Sequence, residues 1–394
     1  MRRNVPIGEL VKPVRSWNPQ TNGEGRFDYI DLSSVDKAEK KILSVETIEC
    51  KEAPSRARQL VAAGDILVAT VRPNLNGVAM AFDCHDGMTA STGYTVLRPD
   101  PSVLDGKYLF HWVKTPRFIK KMVDVAAGAN YPAVSDKKVK ESEIPLPPLP
   151  EQKRIAKILD AADALRAKRR ESLAQLDALL QSTFLEMFGD PVENPKGWPL
   201  HSLPKLALHF CDGPFGSNLK SSHYVEDGVR VIRLQNIGVG ELLDHDLAFI
   251  SEEHYQSLPR NHCRPGDVVI GTLGDPNLRA CVIPESLPES LNKADCLLFR
   301  PNPDRVLSSY VSWLLNCPAL VASSAGLVRG QTRGRISLGR LKTMRVPTPP
   351  LAKQMEFDQG VNRVKDHQSA LAKQVEELDA LFDSLQQSAF AGQL

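Results

Sequence analysis

The sequence is short of the signatures that announce most enzymes. Its 394 residues hold no G-x-x-x-x-G-K-[ST], no G-x-G-x-x-G after a strand, no H-E-x-x-H and no clustered Cys/His spacing. These absences exclude a P-loop, a dinucleotide-binding turn, a zincin helix and a zinc ribbon. The Asp-Pro-Val-Glu-Asn-Pro-Lys stretch from Asp190 lacks the Asn/Asp-Pro-Pro-aromatic run of an amino-methyltransferase. Seven cysteines (Cys50, Cys84, Cys211, Cys263, Cys281, Cys296, Cys317) form no C-x-x-C and are odd in number, as expected of reduced, partly buried thiols. The nine histidines are scattered, and none is assigned a catalytic role. There is no apolar run of 18 or more residues and no signal-peptide core after Met1-Arg2-Arg3, so a cytoplasmic chain without membrane contact is expected. No metal site and no cofactor of the chain's own is expected.

What the sequence has is itself, twice. One offset of 202 residues aligns Gly64-Asp65 with Gly266-Asp267, Thr70 with Thr272, Arg98-Pro99 with Arg300-Pro301, Tyr108 with Tyr310 and Pro116 with Pro318. The frame continues without a gap through Gly128 and Gly330, Ser135 and Ser337, Gln152 and Gln354, to Leu176-Asp177-Ala178-Leu179 and Leu378-Asp379-Ala380-Leu381. A period of this size predicts two similar globular units, not a solenoid.

Each repeat ends in a Pro-rich elbow, Ile144-Pro145-Leu146-Pro147-Pro148-Leu149-Pro150 or Val346-Pro347-Thr348-Pro349-Pro350-Leu351. Proline blocks helix before it and tolerates it in a first turn, so each elbow predicts an extended strut leading into a long helix. In the second helix Phe357, Val361, Val364, Gln368, Leu371, Val375, Leu378, Phe382, Leu385 and Ala389 alternate steps of four and three. Shifted back by 202, the same seam reads Ile155, Leu159, Ala162, Arg166, Arg169, Leu173, Leu176, Leu180, Thr183 and Met187. Such heptads predict that the helices pack on each other, antiparallel, as a coiled coil with a polar layer at Gln368, Arg166 and Arg169. The competing reading has each helix covering only its own domain's sheet.

The preceding regions read as α+β with mixed or antiparallel sheets. Tyr29-Ile30-Asp31-Leu32 and Val231-Ile232-Arg233-Leu234 are expected strands, as are the segments after Gly64-Asp65 and Gly266-Asp267; residues 105–123 and 307–323 are expected helices. Asp65 and Asp267 read as turn residues, since no acidic-x-Lys nuclease partner follows either strand.

The positive functional signal lies in polar loops, where the frame is kept and the side chains diverge. One loop runs from Leu327 to Arg335 and offers Arg329, Gln331, Arg333 and Arg335; its counterpart carries Asn130, Tyr131, Lys137 and Lys138. Further candidates are Arg72, Asn74 and Asn76 in the first half, and Ser217, Asn218, Lys220, Gln235 and Asn236 in the second. Guanidinium and amide groups suit phosphates and base edges. The net charge is only +2, but the two helix segments together carry −2, which leaves about +4 on the rest of the chain.

The Pro145-to-Ile155 elbow, its weaker copy at 347–357, the paired Leu-Asp-Ala-Leu helices, Gly213-Pro214-Phe215-Gly216-Ser217 and Ile232-Arg-Leu-Gln-Asn-Ile237 together make the chain resemble the specificity subunit of type I restriction-modification systems. The resemblance spans the whole chain; only Ala352-Lys353, in place of Pro150-Glu151, departs from the elbow pattern. It implies a non-catalytic reader of double-stranded DNA. Target-recognition domains would occupy residues 1–149 and 190–351, with spacer helices at 150–189 and 352–394, arranged about a pseudo-twofold axis. Each domain would read half of a bipartite site. The helices would dock two modification subunits, which bind S-adenosylmethionine, and a restriction-translocase subunit would complete the nuclease. A helix of about 35 residues is about 50 Å long and can hold two readers one DNA turn, about 34 Å, apart. The alternatives are a specificity subunit serving a methyltransferase alone and, from another class, a coiled-coil scaffold for proteins only.

Overall fold

Gly64-Asp65 and Gly266-Asp267 each turn the chain into a buried four-residue strand, Ile66–Ala69 and Val268–Gly271. The computed structural model describes residues 3–128, 130–287, 289–330 and 334–394. The strand Ile66–Ala69 lies in an antiparallel sheet ordered Val11–Lys12, Tyr94–Pro99, Ile66–Ala69, Val78–Met80. Val268–Gly271 holds the same place in the order Ala207–Cys211, Cys296–Pro301, Val268–Gly271, Arg279–Val282. A second sheet in each half is mixed. Thr89–Ser91 runs parallel to Arg26–Ile30, and Ser290–Asn292 runs parallel to Val229–Ile232. The chain is thus α+β, with antiparallel and mixed sheets.

The turn aspartates are structural. Asp65 and Asp267 are almost fully buried, and Arg98 grips Asp65 through two hydrogen bonds of 2.8 and 2.7 Å. Arg300 grips Asp267 through two of 2.8 Å. Each carboxylate also accepts a backbone N–H, from Ala62 or from Arg264, at 2.8 Å. Charge-assisted bidentate pairing satisfies both oxygens, which is what a buried carboxylate requires.

Where one helix is expected over 105–123, there are two, Gly106–Val113 and Pro116–Asp124. The second half divides likewise, into Ser308–Asn316 and Pro318–Ser324. Pro116 and Pro318 cannot donate to the preceding turn and push the residue before them out of helix, so each starts a new one. Thr115 caps the restart in the first half, accepting from the Phe118 N–H at 3.1 Å.

The elbows are clamped from both sides. Tyr108 Oη donates to Pro145 O at 2.8 Å and Tyr310 Oη to Pro347 O at 2.9 Å. Gln152, fully buried, accepts from Asp105 N and donates to Val103 O and Pro147 O; Gln354 does the same with Leu307, Arg305 and Pro349. Prolines leave carbonyls without the neighbouring N–H groups that would pair them, and one buried amide serves each elbow instead.

The long helices are Leu149–Phe188 and Leu351–Ala391. Every residue of both predicted seams is buried or half-buried. The chain divides into two compact units, Met1–Arg170 with Lys373–Leu394, and Glu171–Ala372, so each unit takes half of each long helix. In the first, Ile155 and Leu159 join Phe382, Ala389 and Phe390 in one core with Ile66, Leu97, Tyr108 and Trp112. In the second, Leu180, Phe184 and Phe188 join Phe357 and Val361 against Val268, Phe299 and Tyr310. The two expectations for the helices therefore combine: within each unit, helix packs on helix and the pair also closes the domain core. Near the chain ends, Arg3–Pro6 pairs with Glu143–Leu146, and the Leu394 carbonyl accepts from Arg154 at 2.9 Å. Among the described residues no helix is long and apolar enough to cross a membrane.

Candidate nucleic-acid interface

In the first unit the strand Ile66–Ala69 leads into a loop that a hairpin docks against. The Ala127 and Ala133 backbones exchange two hydrogen bonds of 2.9 Å, and Val134 N donates to Thr70 O at 2.9 Å. Arg72 N adds a bond of 2.7 Å to Pro132 O. Gly128 sits at φ +106°, where a Cβ would come within 2.9 Å of Tyr131 O, so the hairpin closes only around glycine.

The second unit repeats this framework 202 residues on. Arg329 and Arg335 exchange hydrogen bonds of 3.0 and 2.9 Å, Ile336 N donates to Thr272 O at 3.0 Å, and Gly330 takes φ +111°. Each unit thus presents a polar ledge, a hairpin seated on the loop after its central strand.

On the first ledge Arg72, Asn74, Asn130 and Tyr131 are exposed, and the Arg72 guanidinium lies 5.0 Å from the Tyr131 ring centre. Asn76 is half-buried at φ +45°, and its carbonyl accepts from Lys40 Nζ at 2.6 Å. Burial, and then the Lys114 charge, press the Lys40 pKa below its usual value. Lys137 and Lys138 are exposed on the short helix Asp136–Glu141, where both pair with Glu141.

On the second ledge Arg329 is exposed, with Nη1 on the Gly326 and Val328 carbonyls. Gln331 and Arg333 lie outside the described residues. Arg335 is held in place. Its Nη2 donates to Asp212 Oδ2 at 2.9 Å, its Nε lies 2.8 Å from Asp295 Oδ1 without hydrogen-bond alignment, and its guanidinium covers Phe215 at 4.9 Å. Burial raises the Asp212 pKa even though Arg335 favours its charged form. Arg335 therefore braces the base of the hairpin, which corrects its reading as a freely presented reader.

Ser217 and Asn218 are exposed in the turn after Phe215, where Asn218 O accepts from His254 Nε2 at 2.8 Å, and Lys220 is exposed beyond them. Gln235 is exposed and donates to Asp246 Oδ2 at 2.7 Å. Asn236 requires a correction. It is fully buried, its Oδ1 accepts from Arg233 N, and its Nδ2 donates to His245 O. Its donors and acceptor are spent on the loop, leaving none for a base. Asp212, Asp295 and Phe215 were not anticipated as a bracket, and no local pattern marks them. Among the described residues no group of three or more His, Cys, Asp or Glu could hold a metal.

A family model described as the type I restriction modification DNA specificity domain matches residues 20–176. The type I restriction enzyme MjaVIII specificity subunit of Methanocaldococcus jannaschii is 25% identical over 68% of this chain; the match spans 62% of that relative, short of two thirds of its length. The EcoKI specificity subunit of Escherichia coli K12 is 24% identical over 98% of this chain and 87% of its own. A solved structure concerned with complex assembly and conformational transition of the type I restriction-modification system superposes with a TM-score of 0.65 at 26% identity, covering 100% of this chain and 98% of the other. An S subunit from M. genitalium shares the fold at TM-score 0.53 and 17% identity, over 99% of this chain and 96% of the other. Along its whole length, in sequence and in fold, the chain is similar to specificity subunits of type I restriction-modification systems.

Proposed function

We propose that this chain selects the DNA sequence on which a type I restriction-modification complex acts, and that it performs no covalent chemistry itself. Each ledge reads one half of a bipartite site. The long helices, paired as an antiparallel coiled coil about a pseudo-twofold axis, set the distance between the readers and dock two modification subunits. S-adenosylmethionine is bound by those partners, and restriction-translocase subunits complete the nuclease. The domain limits that go with this reading are 1–149 and 190–351 for the readers, and 150–189 and 352–394 for the spacers.

One observation carries the reading. The same hydrogen-bonded hairpin and strand-end loop recur 202 residues apart, while the exposed side chains on them differ, Arg72 and Tyr131 on one and Arg329 on the other. A constant frame with variable contents is what two readers of different half-sites need, because base edges are distinguished by donor and acceptor pattern while the groove geometry stays the same.

The test is a map of methylated adenines in the host with and without this gene. A split motif that vanishes with the gene is the expected result; an unchanged methylation map sinks the proposal. Binding of the full chain to duplex DNA should also weaken steeply with salt, whereas salt-insensitive or absent binding would favour a protein-only scaffold.

A further inference from the structure

Arginine and glycine trade places between the two ledges. Arg72 corresponds to Gly274 under the 202 offset, and Gly77 to Arg279. In the second unit Arg279 is half-buried and fully employed. Its Nε donates to Ile237 O at 2.7 Å, Nη1 to Leu273 O at 2.9 Å and Pro276 O at 3.0 Å, and Nη2 to Leu234 O at 2.9 Å. Four backbone carbonyls saturate most of its fork, so it serves as a brace. Gly77 has no side chain to play that part, and a Cβ there would sit tightly, 3.1 Å from the Ala69 Cβ.

Arg72 is placed in the opposite way. It is exposed, and among the described residues its guanidinium has no hydrogen-bond or ion-pair partner, only the Tyr131 ring 5.0 Å away. Its backbone is left-handed, at φ +50° and ψ +62°, a conformation disfavoured for any residue with a Cβ. Gly274, at φ +113°, takes a left-handed backbone without that penalty, and the hairpin of its unit still docks on the loop through Ile336 N and Thr272 O. The framework therefore needs a left-handed backbone at this position but no arginine side chain. Among the described residues the fold gives the Arg72 side chain no polar partner, which leaves its fork free for a ligand.

We infer that Arg72 is a base-reading arginine, whose fork meets N7 and O6 of a guanine in the half-site of the first unit; this rests on the DNA-reading function proposed above. The Tyr131 ring, 5.0 Å from the guanidinium carbon, gives the fork a cation–π contact that restricts where it lies on the ledge, which suits a bidentate contact with a guanine edge. Asn74 and Asn130, exposed on the same ledge, carry the amides suited to a neighbouring adenine. The two units thus read through different elements, the strand-end loop being an active reader only in the first.

The experiment uses the full chain, in the complex with which it purifies from its host, and a random duplex DNA library as probe. Wild type, Arg72→Gly, Arg72→Lys and Arg279→Gly are compared for selected sequence, affinity, salt dependence and melting temperature. Arg72→Gly should melt at or above the wild-type temperature and lose roughly 5- to 150-fold in affinity for the wild-type sequence. It should relax one guanine-containing base pair in one half-site only, and Arg72→Lys should not restore that preference. Arg279→Gly should melt lower. A fall in melting temperature of more than about 4 °C for Arg72→Gly would make Arg72 a brace and overturn the inference. So would equal weakening on all sequences with a salt slope lower by about 0.9, the mark of a phosphate contact. Unchanged selection by Arg72→Gly also overturns it, leaving the proposed function intact, whereas a wild-type complex that selects no split sequence sinks the function itself.

Discussion

Arg166 Nε lies 2.5 Å from Asp379 Oδ1, and this ion pair joins the two long helices within the first unit. Arg170 reaches the same carboxylate at 2.8 and 2.9 Å. Burial opposes the charge on Asp379, but the two guanidinium groups together hold its pKa below the usual carboxylate range. The equivalent pair in the second unit is neutral on one side, Gln368 Nε2 donating to Asp177 Oδ1 at 2.7 Å. The polar layer expected in the seam is thus a donor on one helix meeting an aspartate on the other, and it is an ion pair in the first unit and a neutral-amide-to-carboxylate hydrogen bond in the second.

From this follows a modest and additive stability effect. Arg166 is mostly buried and Asp379 about one-third exposed, so Arg166→Ala should lower stability by about 1 kcal/mol. Arg166→Gln, which copies the second unit, should lose less. A double-mutant cycle with Asp379→Ala in urea unfolding should return a coupling of about 0.5–1 kcal/mol. No coupling would mean the contact is incidental.

The turn pair should behave quite differently. Asp65 is fully buried, and removing Arg98 strands an uncompensated carboxylate, a change of about 3–5 kcal/mol. Arg98→Leu should therefore unfold the first unit well below the wild-type temperature. Adding Asp65→Leu should recover part of the loss, since no buried charge then remains. If calorimetry of the double variant shows the sum of the single losses, the pair has no such linkage.

Much of this fold was legible in the chain because its determinants repeat or are periodic. The Gly-Asp turns, the elbows and the seam residues from Phe357 to Ala389 each follow from local chemistry read twice. The break at Pro116 was equally local, yet the apolar pattern on either side of it hid two helices as one. The candidate site was less legible. Asp212 finds Arg335 across 123 residues of sequence, and Asn236 is buried only because the Leu243–His245 segment folds over it. Which polar side chains are free and which are braces depends on such distant partners, and no local pattern carries that information.

Acid should loosen the first unit by two steps. His111 is buried with its Nε2 2.7 Å from Asp160 Oδ1, and burial pushes its pKa down despite that carboxylate. Because the unfolded chain takes up the proton first, stability falls as pH drops below about 6.5. Burial works against the Asp160 carboxylate too, but hydrogen bonds from His111 and Lys107 outweigh it and bring its pKa to about 2. A carboxylate depressed in the fold stabilises above its unfolded value, about 3.9, and that contribution is lost as pH falls towards 2. Urea midpoints followed from pH 7 to pH 3 should fall in both ranges. His111→Phe should remove the upper step and Asp160→Asn the lower; identical profiles for wild type and Asp160→Asn would refute the assignment.

Arg329 and Arg335 stand six residues apart on one hairpin yet should fail in different ways. Arg335 lies within ion-pair distance of both Asp212 and Asp295, and Arg335→Ala leaves these two part-buried carboxylates without their shared cation. That variant should lose about 1–3 kcal/mol of stability in the second unit, with weakened DNA binding as a consequence of unfolding. Arg329 is exposed, and among the described residues its guanidinium hydrogen-bonds only two backbone carbonyls of its own loop, so Arg329→Ala should leave the melting temperature unchanged. Its effect should fall on DNA alone, as a salt slope lower by about 0.9 for a phosphate contact or as relaxed selection at one base pair of one half-site. Damage to both half-sites by Arg329→Ala would contradict modular reading by the two units, because this hairpin belongs to the second unit only.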